Sequence, residues 1–426
     1  MKKRSAKVII LVLTAVFSLS CLTVFTGCIG AGTSAAGIIL VSTEESDEMA
    51  DNVSRELIGA NNKFAFDIFR ELLAEDKGKN IFISPFSITT ALAMAYNGAE
   101  TDTKDAMAEV LGFSGRDLDD LNSNFSQLLV IIQSADPDIE LDIANSVWKR
   151  SGFEVEEDYL DRVEQYYYST VQDLDFSRSD APDIINKWIE DATRGKIDKM
   201  INEIDAMVMM YLINAIYFKG DWTYPFDEEL TRTDDFYLED GSTVDVEMMG
   251  NYGDYKYSGD GDIEAVRLPY GRDMVSMYIM LPAEGTGLDW AIEEITGDSW
   301  IGFIDSFAER ELNLRMPRFE IEYGIKDLLP PLTRLGMGIA FTDRADFGGM
   351  HPDLYISRVD HKAVIEVNEK GSEAAAVTVI EMKITSAPAE PIEFTADRPF
   401  FFVISDDRTG TILFMGKVAN PAESSD

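Results

Sequence analysis

Thiols are almost absent from this chain of 426 residues. Its two cysteines, Cys21 and Cys28, both stand within the first 28 positions. The remainder therefore holds no disulfide, no cysteine nucleophile and no zinc–thiolate centre. Histidine is nearly as scarce. Only His351 and His361 occur, so a Ser-His-Asp triad would have to use one of them. His351 lies in a glycine-rich turn-like context before Pro352. His361 precedes an apolar strand-like run, Ala363 to Val367, which marks it as a hydrogen-bonded structural histidine rather than a general base. The chain also lacks a Gly-x-Ser-x-Gly elbow, a His-Glu-x-x-His helix, a phosphate-binding loop and a dinucleotide fingerprint. Positive charge is short as well: 37 Lys and Arg stand against 77 Asp and Glu, a net charge of −40. Such a surplus repels nucleic acid and anionic lipid surfaces and favours solubility. Nothing marks a catalytic pair among the acids, and nothing calls for a cofactor or a metal. Met207, Met209 and Met210 read as packing residues.

Long apolar runs are confined to the N-terminus. Lys2, Lys3, Arg4 and Lys7 precede an apolar stretch from Val8 to Phe25, the pattern of an export signal. Thr26-Gly27-Cys28 follows, similar to the site at which prokaryotic lipoproteins are cut and lipidated on cysteine, although Phe25 stands where Leu is usual. The expectation is a signal over residues 1–27, a lipid anchor and flexible tether over 28–56, and an exported protein at the cell surface or outside the cell. Membrane contact is then made only through the anchor at Cys28. Asn52-Val53-Ser54 and Asn124-Phe125-Ser126 fit the glycosylation acceptor pattern.

Beyond residue 57 the text is first helical, then strand-rich. Ala60 to Glu75 carries a broad apolar stripe at helical spacing. Ser84-Pro85-Phe86-Ser87 opens another helix. Asp102 to Leu111 and Leu118 to Ser134 add two more, and an amphipathic helix runs from Asp180 to an end at Gly195. Leu141 to Lys149 alternates as a strand, and Met207 to Phe218 reads as a strand buried on both faces. Asp240-Gly241 joins two strands in a hairpin. Strands over 265–269, 275–281, 311–317, 363–368, 400–405 and 411–418 follow. The mixture lacks a βαβ rhythm and indicates one α+β domain over 57–421 with a short tail, 422–426.

One segment near the C-terminus has two characters. Between Ser372 and Lys383 the charged residues Glu373, Glu381 and Lys383 all have odd parity. The even positions are Ser372, Ala374, Ala376, Thr378, Ile380 and Met382. Alternate residues of a strand face opposite sides, so this run suits a sheet with charges on one face only. From Thr385 the text becomes Thr-Ser-Ala-Pro-Ala-Glu-Pro, where Pro388 and Pro391 cannot donate to a ladder.

Taken together, the segments resemble the serpin family over about residues 57 to 421. The resemblance rests on Asn80 to Ile88 (Asn-Ile-Phe-Ile-Ser-Pro-Phe-Ser-Ile), Leu212 to Trp222 with Pro225-Phe226, Met316 to Phe319, Leu335 to Met337, Ala345 to Phe347, His361 to Val364, Glu369 to Ala375, Arg398 to Phe400 and Phe414 to Pro421. It implies three β-sheets surrounded by eight to nine helices, with an exposed reactive-centre loop over about 369–398. It implies a suicide-type protease inhibitor rather than an enzyme. A serine protease cuts the loop and is acylated. The loop then inserts as a new strand in the large sheet, a transition that is a general example of strand addition, and stored strain drives it.

The resemblance assigns a hinge to Glu369, Gly371, Ser372, Ala374, Ala375 and Ala376, whose small side chains suit rapid insertion. It assigns a shutter to Ser84, Ser87, Asn214 and His361, and a breach to Trp222. Family spacing from Gly371 puts the reactive bond at Thr385–Ser386. The stretch to Pro399 is about three residues longer than in common members, so Lys383, Ile384 and Ala387 are the alternatives. Small or β-branched residues there fit an elastase-like or subtilisin-like protease; Lys383 would fit a trypsin-like one. The expected state is a monomer. The competing reading within the family is a non-inhibitory binding or chaperone-like extracellular protein. A hydrolase using acidic residues and a solute-binding lipoprotein are disfavoured by the hinge composition.

Overall fold

A computed structural model describes residues 38–259, 262–283, 285–372 and 391–423. Cys28, Ala374, Ala375, Ala376 and the stretch 383–387 lie outside the described residues. Ten α-helices are present among those described: α1 (Thr43–Asn52), α2 (Arg55–Glu75), α3 (Pro85–Tyr96), α4 (Thr101–Leu111), α5 (Leu118–Gln133), α6 (Glu157–Tyr167), α7 (Ala181–Ala192), α8 (Leu288–Glu294), α9 (Gly297–Asp305) and the four-residue α10 (Leu329–Leu332). Helix α3 starts where the Ser84 side chain accepts from the Ser87 N–H and Pro85 takes the first turn. Eleven of its twelve residues are buried, so it is a core helix rather than an amphipathic one.

The strands form three sheets. The largest runs β1 (Ile81–Ile83), β15 (Thr411–Val418), β14 (Phe400–Asp406), β8 (Val275–Pro282), β7 (Ile263–Tyr270), β6 (Thr243–Ser258), β9 (Ala308–Pro317) and β13 (Ile392–Thr395), with β5 (Asp227–Tyr237) also on β6. Strands β8, β14 and β15 are buried along their whole length, as their near-continuous apolar text requires. A four-stranded sheet orders β12 (Gly371–Ser372), β4 (Met210–Asp221), β2 (Ile139–Arg150) and β3 (Thr170–Leu174). A two-stranded sheet pairs β10 (Phe319–Asp327) with β11 (Asp360–Val367). The α+β class and the three sheets agree with expectation. Helix α1 is an addition to it.

That helix corrects the reading of a flexible tether for residues 38–56, the part of 28–56 that is described. Ile38 is fully buried, and the Val41 N–H donates to Ser134 Oγ at 3.1 Å. Ser46, Ala50 and Val53 are buried, and Ser46 Oγ donates to the Ile131 carbonyl at 3.2 Å. Arg408 reaches across to Ser46 Oγ (2.7 Å) and Asp47 (3.2 Å). The composition is polar, but its few small and apolar residues recur at helical spacing and lie against α5.

Two further expectations need adjustment. Helix α7 ends at Ala192 rather than Gly195, because Arg194 and Gly195 take φ of +51° and +87° and break the helical run. Strand β4 is only partly buried, and Met207 before it is 77% exposed.

Candidate functional site

Strand β11 delivers the chain at Val367 into a tight reversal. The Asn368 N–H donates to the Gly371 carbonyl at 3.0 Å, and the Gly371 N–H returns to the Asn368 carbonyl at 3.3 Å. Asn368 Oδ1 also accepts the Lys370 N–H at 3.0 Å, the local bonding that suits Asn to turns. Gly371 has φ of +153°, and a Cβ there would fall 2.1 Å from the Gly220 carbonyl oxygen. Only glycine fits this approach. Gly371 and Ser372 then pair antiparallel with Asp221 and Gly220 of β4.

The surroundings hold this hinge at Asn368, Glu369, Lys370 and Ser372. Trp222 donates its indole N–H to the Asn368 carbonyl at 3.0 Å and its backbone N–H to the Lys370 carbonyl at 2.7 Å. Its ring stacks on Tyr270 with centroids 4.3 Å apart, and the Tyr270 hydroxyl lies 2.8 Å from Ser372 Oγ. The Phe226 N–H donates to the Glu369 carbonyl at 2.8 Å. The Glu369 carboxylate is buried. It accepts from Thr231 Oγ1 at 2.5 Å and from Arg318 Nε at 2.8 and 2.7 Å. Burial acts to raise its pKa, but the bonds from Arg318 and Thr231 prevail and hold it below the ordinary carboxylate value.

Ser372 stands between β4 and β11. Among the described residues these two strands are not paired with each other. The cleft between them continues below Ser372, lined by Ile216, Tyr217 and Phe218 of β4 and by Ala363 to Glu366 of β11, with Phe82 and Phe414 at its floor. Its base is apolar, and Ser372 of β12 lines one end of it.

Beneath the sheet, the Ser84 N–H donates to His361 Nε2 at 3.0 Å. His361 is therefore an acceptor at Nε2 and carries its proton on Nδ1. Ser84 Oγ donates to the Leu413 carbonyl at 2.8 Å and accepts the Ser87 N–H at 3.2 Å. Burial pushes the His361 pKa down to about 4. The structure thus joins Ser84, Ser87 and His361. Asn214 behaves differently. Its amide donates to Asn145 Oδ1 on β2 at 2.6 Å, and its own Oδ1 is buried without a partner.

The other sequence candidates sit apart. Asn52 closes α1, exposed, with Nδ2 donating to the Glu48 carbonyl at 2.7 Å. Asn124 is within α5, where its Oδ1 accepts the Ser54 N–H at 3.0 Å. Sequence reasoning gave no role to Thr231, Tyr270, Asn368 or Arg318. Arg318 stands inside the quoted Met316–Phe319 run and was thus within reach; Thr231 carries no local signal at all. Among the described residues no group of His, Cys, Asp or Glu is arranged to hold a metal ion.

The three sheets, the hinge turn and the strands β4 and β11 on either side of it, not paired with each other among the described residues, point to one family. The family model for serpins (serine protease inhibitors) matches residues 59–421, and the chain belongs to that family. Members are generally protease inhibitors, not enzymes. An uncharacterised serpin-like protein of Methanosarcina acetivorans is 38% identical over 389 residues, covering 89% of this chain and 91% of the relative. A leukocyte elastase inhibitor of Bos taurus is 35% identical over 380 residues, covering 86% and 100%. Among solved structures, the thermophilic serpin tengpin in its native state superposes with a TM-score of 0.79 at 30% identity, covering 87% of this chain and 95% of that one. The match begins after α1, so α1 lies upstream of the family domain.

Proposed function

We propose that this protein traps serine proteases by the suicide route. The protease cuts the loop that leaves Ser372, at Thr385–Ser386, and the serine oxygen becomes esterified to the Thr385 carbonyl as the amine of Ser386 leaves. The freed strand from Ser372 to about Ile384 then zips downward between β4 and β11. The observation that supports this reading is the pairing of Gly371 and Ser372 with Asp221 and Gly220 of β4, beside a strand β11 that among the described residues is not paired with β4. Insertion extends a ladder that has already been started, so the entropic cost of finding register has been met in advance. The even-parity residues of 372–382 are small or apolar and suit the apolar floor of the cleft.

The target is an elastase-like or subtilisin-like protease, with Lys383 offering a trypsin-like enzyme a second bond. The elastase inhibitor among the relatives supports the first. We place the protein outside the cell, a monomer held by lipid at Cys28. The test is incubation with elastase, subtilisin and trypsin, followed by denaturing gels, sequencing of the released C-terminal peptide and a melting curve of the cleaved protein. A covalent complex that survives denaturation and a large rise in melting temperature are expected. Cleavage that gives neither would leave the non-inhibitory binding reading in its place.

A further inference from the structure

The hinge turn carries a register. Asn368 and Gly371 exchange both backbone bonds, at 3.0 and 3.3 Å, which makes them a directly opposed antiparallel pair. On the other side Gly371 and Ser372 stand opposite Asp221 and Gly220 of β4. A strand continuing from Ser372 between β4 and β11 steps forward as both neighbours step back. Two residues past Gly371, Glu373 falls between Lys219 and Glu366. Ten residues past it, Glu381 falls between Tyr211 and Arg358. Both neighbours are still in line there. Tyr211 pairs with Trp148 of β2, and the Val359 carbonyl accepts the Leu328 N–H at 2.8 Å beside β10. Side-chain parity agrees. In β11 His361, Ala363, Ile365 and Val367 are buried and the even-numbered residues are not. Each odd-numbered loop residue falls opposite an even-numbered residue of β11 and shares its face. Glu373 and Glu381 therefore come out on the outer face, level with Glu366 and Arg358.

We propose that Arg358 receives Glu381 once the loop has been cut, and that the ion pair between them locks the far end of the inserted strand. Arg358 is then a positioning residue for the trapped state, a role that rests on the insertion reading above. In the uncut protein the Arg358 Nε pairs with Asp360, while 52% of the Arg358 side chain stays exposed. A guanidinium has five donors in a fixed fork, so it can serve Asp360 and a second carboxylate together. Arg150 adds a second positive charge near Tyr211 on the β4 side. It donates to the Val208, Asp205 and Ala206 carbonyls. Glu373 meets different surroundings: Lys219 on one side and Glu366 on the other carry opposite charges. Of the two acidic residues, only Glu381 comes to lie directly opposite a cation with no carboxylate opposite it on the other strand. The pair forms only after ten residues have been seated, at the end of the sheet remote from the hinge. It therefore acts on the completed trap rather than on entry. Without it the end of the strand frays, and fraying gives the acylated protease room to recover its site and hydrolyse the ester.

The experiment is a double-mutant cycle on Glu381→Gln and Arg358→Gln. Its first readout is the rate at which active protease escapes from the purified covalent complex, made with whichever of elastase, subtilisin and trypsin forms one. Each single change is expected to speed escape about two- to fivefold, the range for one partly exposed opposed pair. The double change should speed it no further than either single one. The second readout is the guanidinium midpoint of the cleaved and the uncleaved protein. The two changes should couple in the cleaved form and act independently in the uncleaved form. Loss of the Arg358–Asp360 pair is common to both forms and cancels in the cycle. Exchanging the charges, Glu381→Arg with Arg358→Glu, should return escape toward the parent rate, which a merely structural role for Arg358 would not do. Glu373→Gln is the control and should leave escape near the parent rate. Escape from Glu381→Gln at the parent rate, or purely additive effects of the two changes in the cleaved protein, would overturn the lock. If the unaltered protein forms no covalent complex and gains no stability on cleavage, the insertion reading itself falls.

Discussion

Arg318 and Glu369 meet at the top of the cleft, with the Arg318 Nε within 2.8 Å of both Glu369 oxygens. Glu369 is buried while the Arg318 side chain is 44% exposed, so water reaches only one partner. The pair ties the residue before β10 to the hinge turn and holds the turn in the shape that starts the new ladder.

Glu369→Ala leaves Thr231 Oγ1 without its acceptor and returns Arg318 to water. The expected loss is about 1–2 kcal/mol, less than for a fully desolvated pair because Arg318 is half exposed. The measurement is the urea midpoint. The same change should also speed uptake of a peptide copying residues 372–385, since the hinge turn is no longer pinned.

Gly371→Ala puts a methyl group where the Gly220 carbonyl oxygen stands and forces an alanine to φ of +153°. Loss of about 1–3 kcal/mol is expected, with hydrogen exchange rising at Gly220, Asp221 and Trp222 before it rises elsewhere. An unchanged exchange pattern would mean the hinge is not seated as described.

Ala376→Pro leaves the described fold untouched but removes an N–H from the inserting strand. The expected product with the target protease is cleaved protein without covalent complex, because Pro blocks ladder pairing. Complex formation at the parent level would rule out insertion as the trapping step.

His361 carries a pH prediction. Its folded pKa, about 4, lies below the ordinary value near 6.5, so below pH 6.5 the unfolded chain binds a proton that the folded chain refuses. Stability conferred by neutral His361 is complete above that pH and declines as pH falls to about 4, by ~3 kcal/mol for a difference of about 2.5 pKa units. Only two histidines occur, so the proton resonances are easily followed. One imidazole should stay neutral down to pH 5, and it should be the one lost in His361→Gln. That variant should also show a weaker decline of stability between pH 6.5 and 4.

Strands β6 to β9, β11, β14 and β15 and the helices α2 to α5 were legible in the sequence because their periodicity is local, whereas β10 and β13 were not read. The hairpin at Asp240-Gly241 and the burial of β8, β14 and β15 follow from turn chemistry and apolar runs alone. Helix α1 was hidden by its polar composition, since only Ser46 and Ala50 of its ten residues are buried. Strand β3 was hidden too: it is mostly exposed, and pairing with β2 rather than an apolar pattern makes it a strand.

The sequence by itself determined the two-faced character of the 372–385 run, the glycine at its head and the small residues behind it, because parity and side-chain size are written in the chain. It also pointed to a structural His361, through the apolar strand-like run that follows it. Tertiary structure alone decided that the hinge is already paired at Gly371 and Ser372, that Glu369 is gripped by Arg318 and Thr231, and that Asn214 bonds to Asn145 rather than joining His361. Each of these joins residues far apart in the chain, and which donor meets which acceptor depends on how the sheets are laid beside one another.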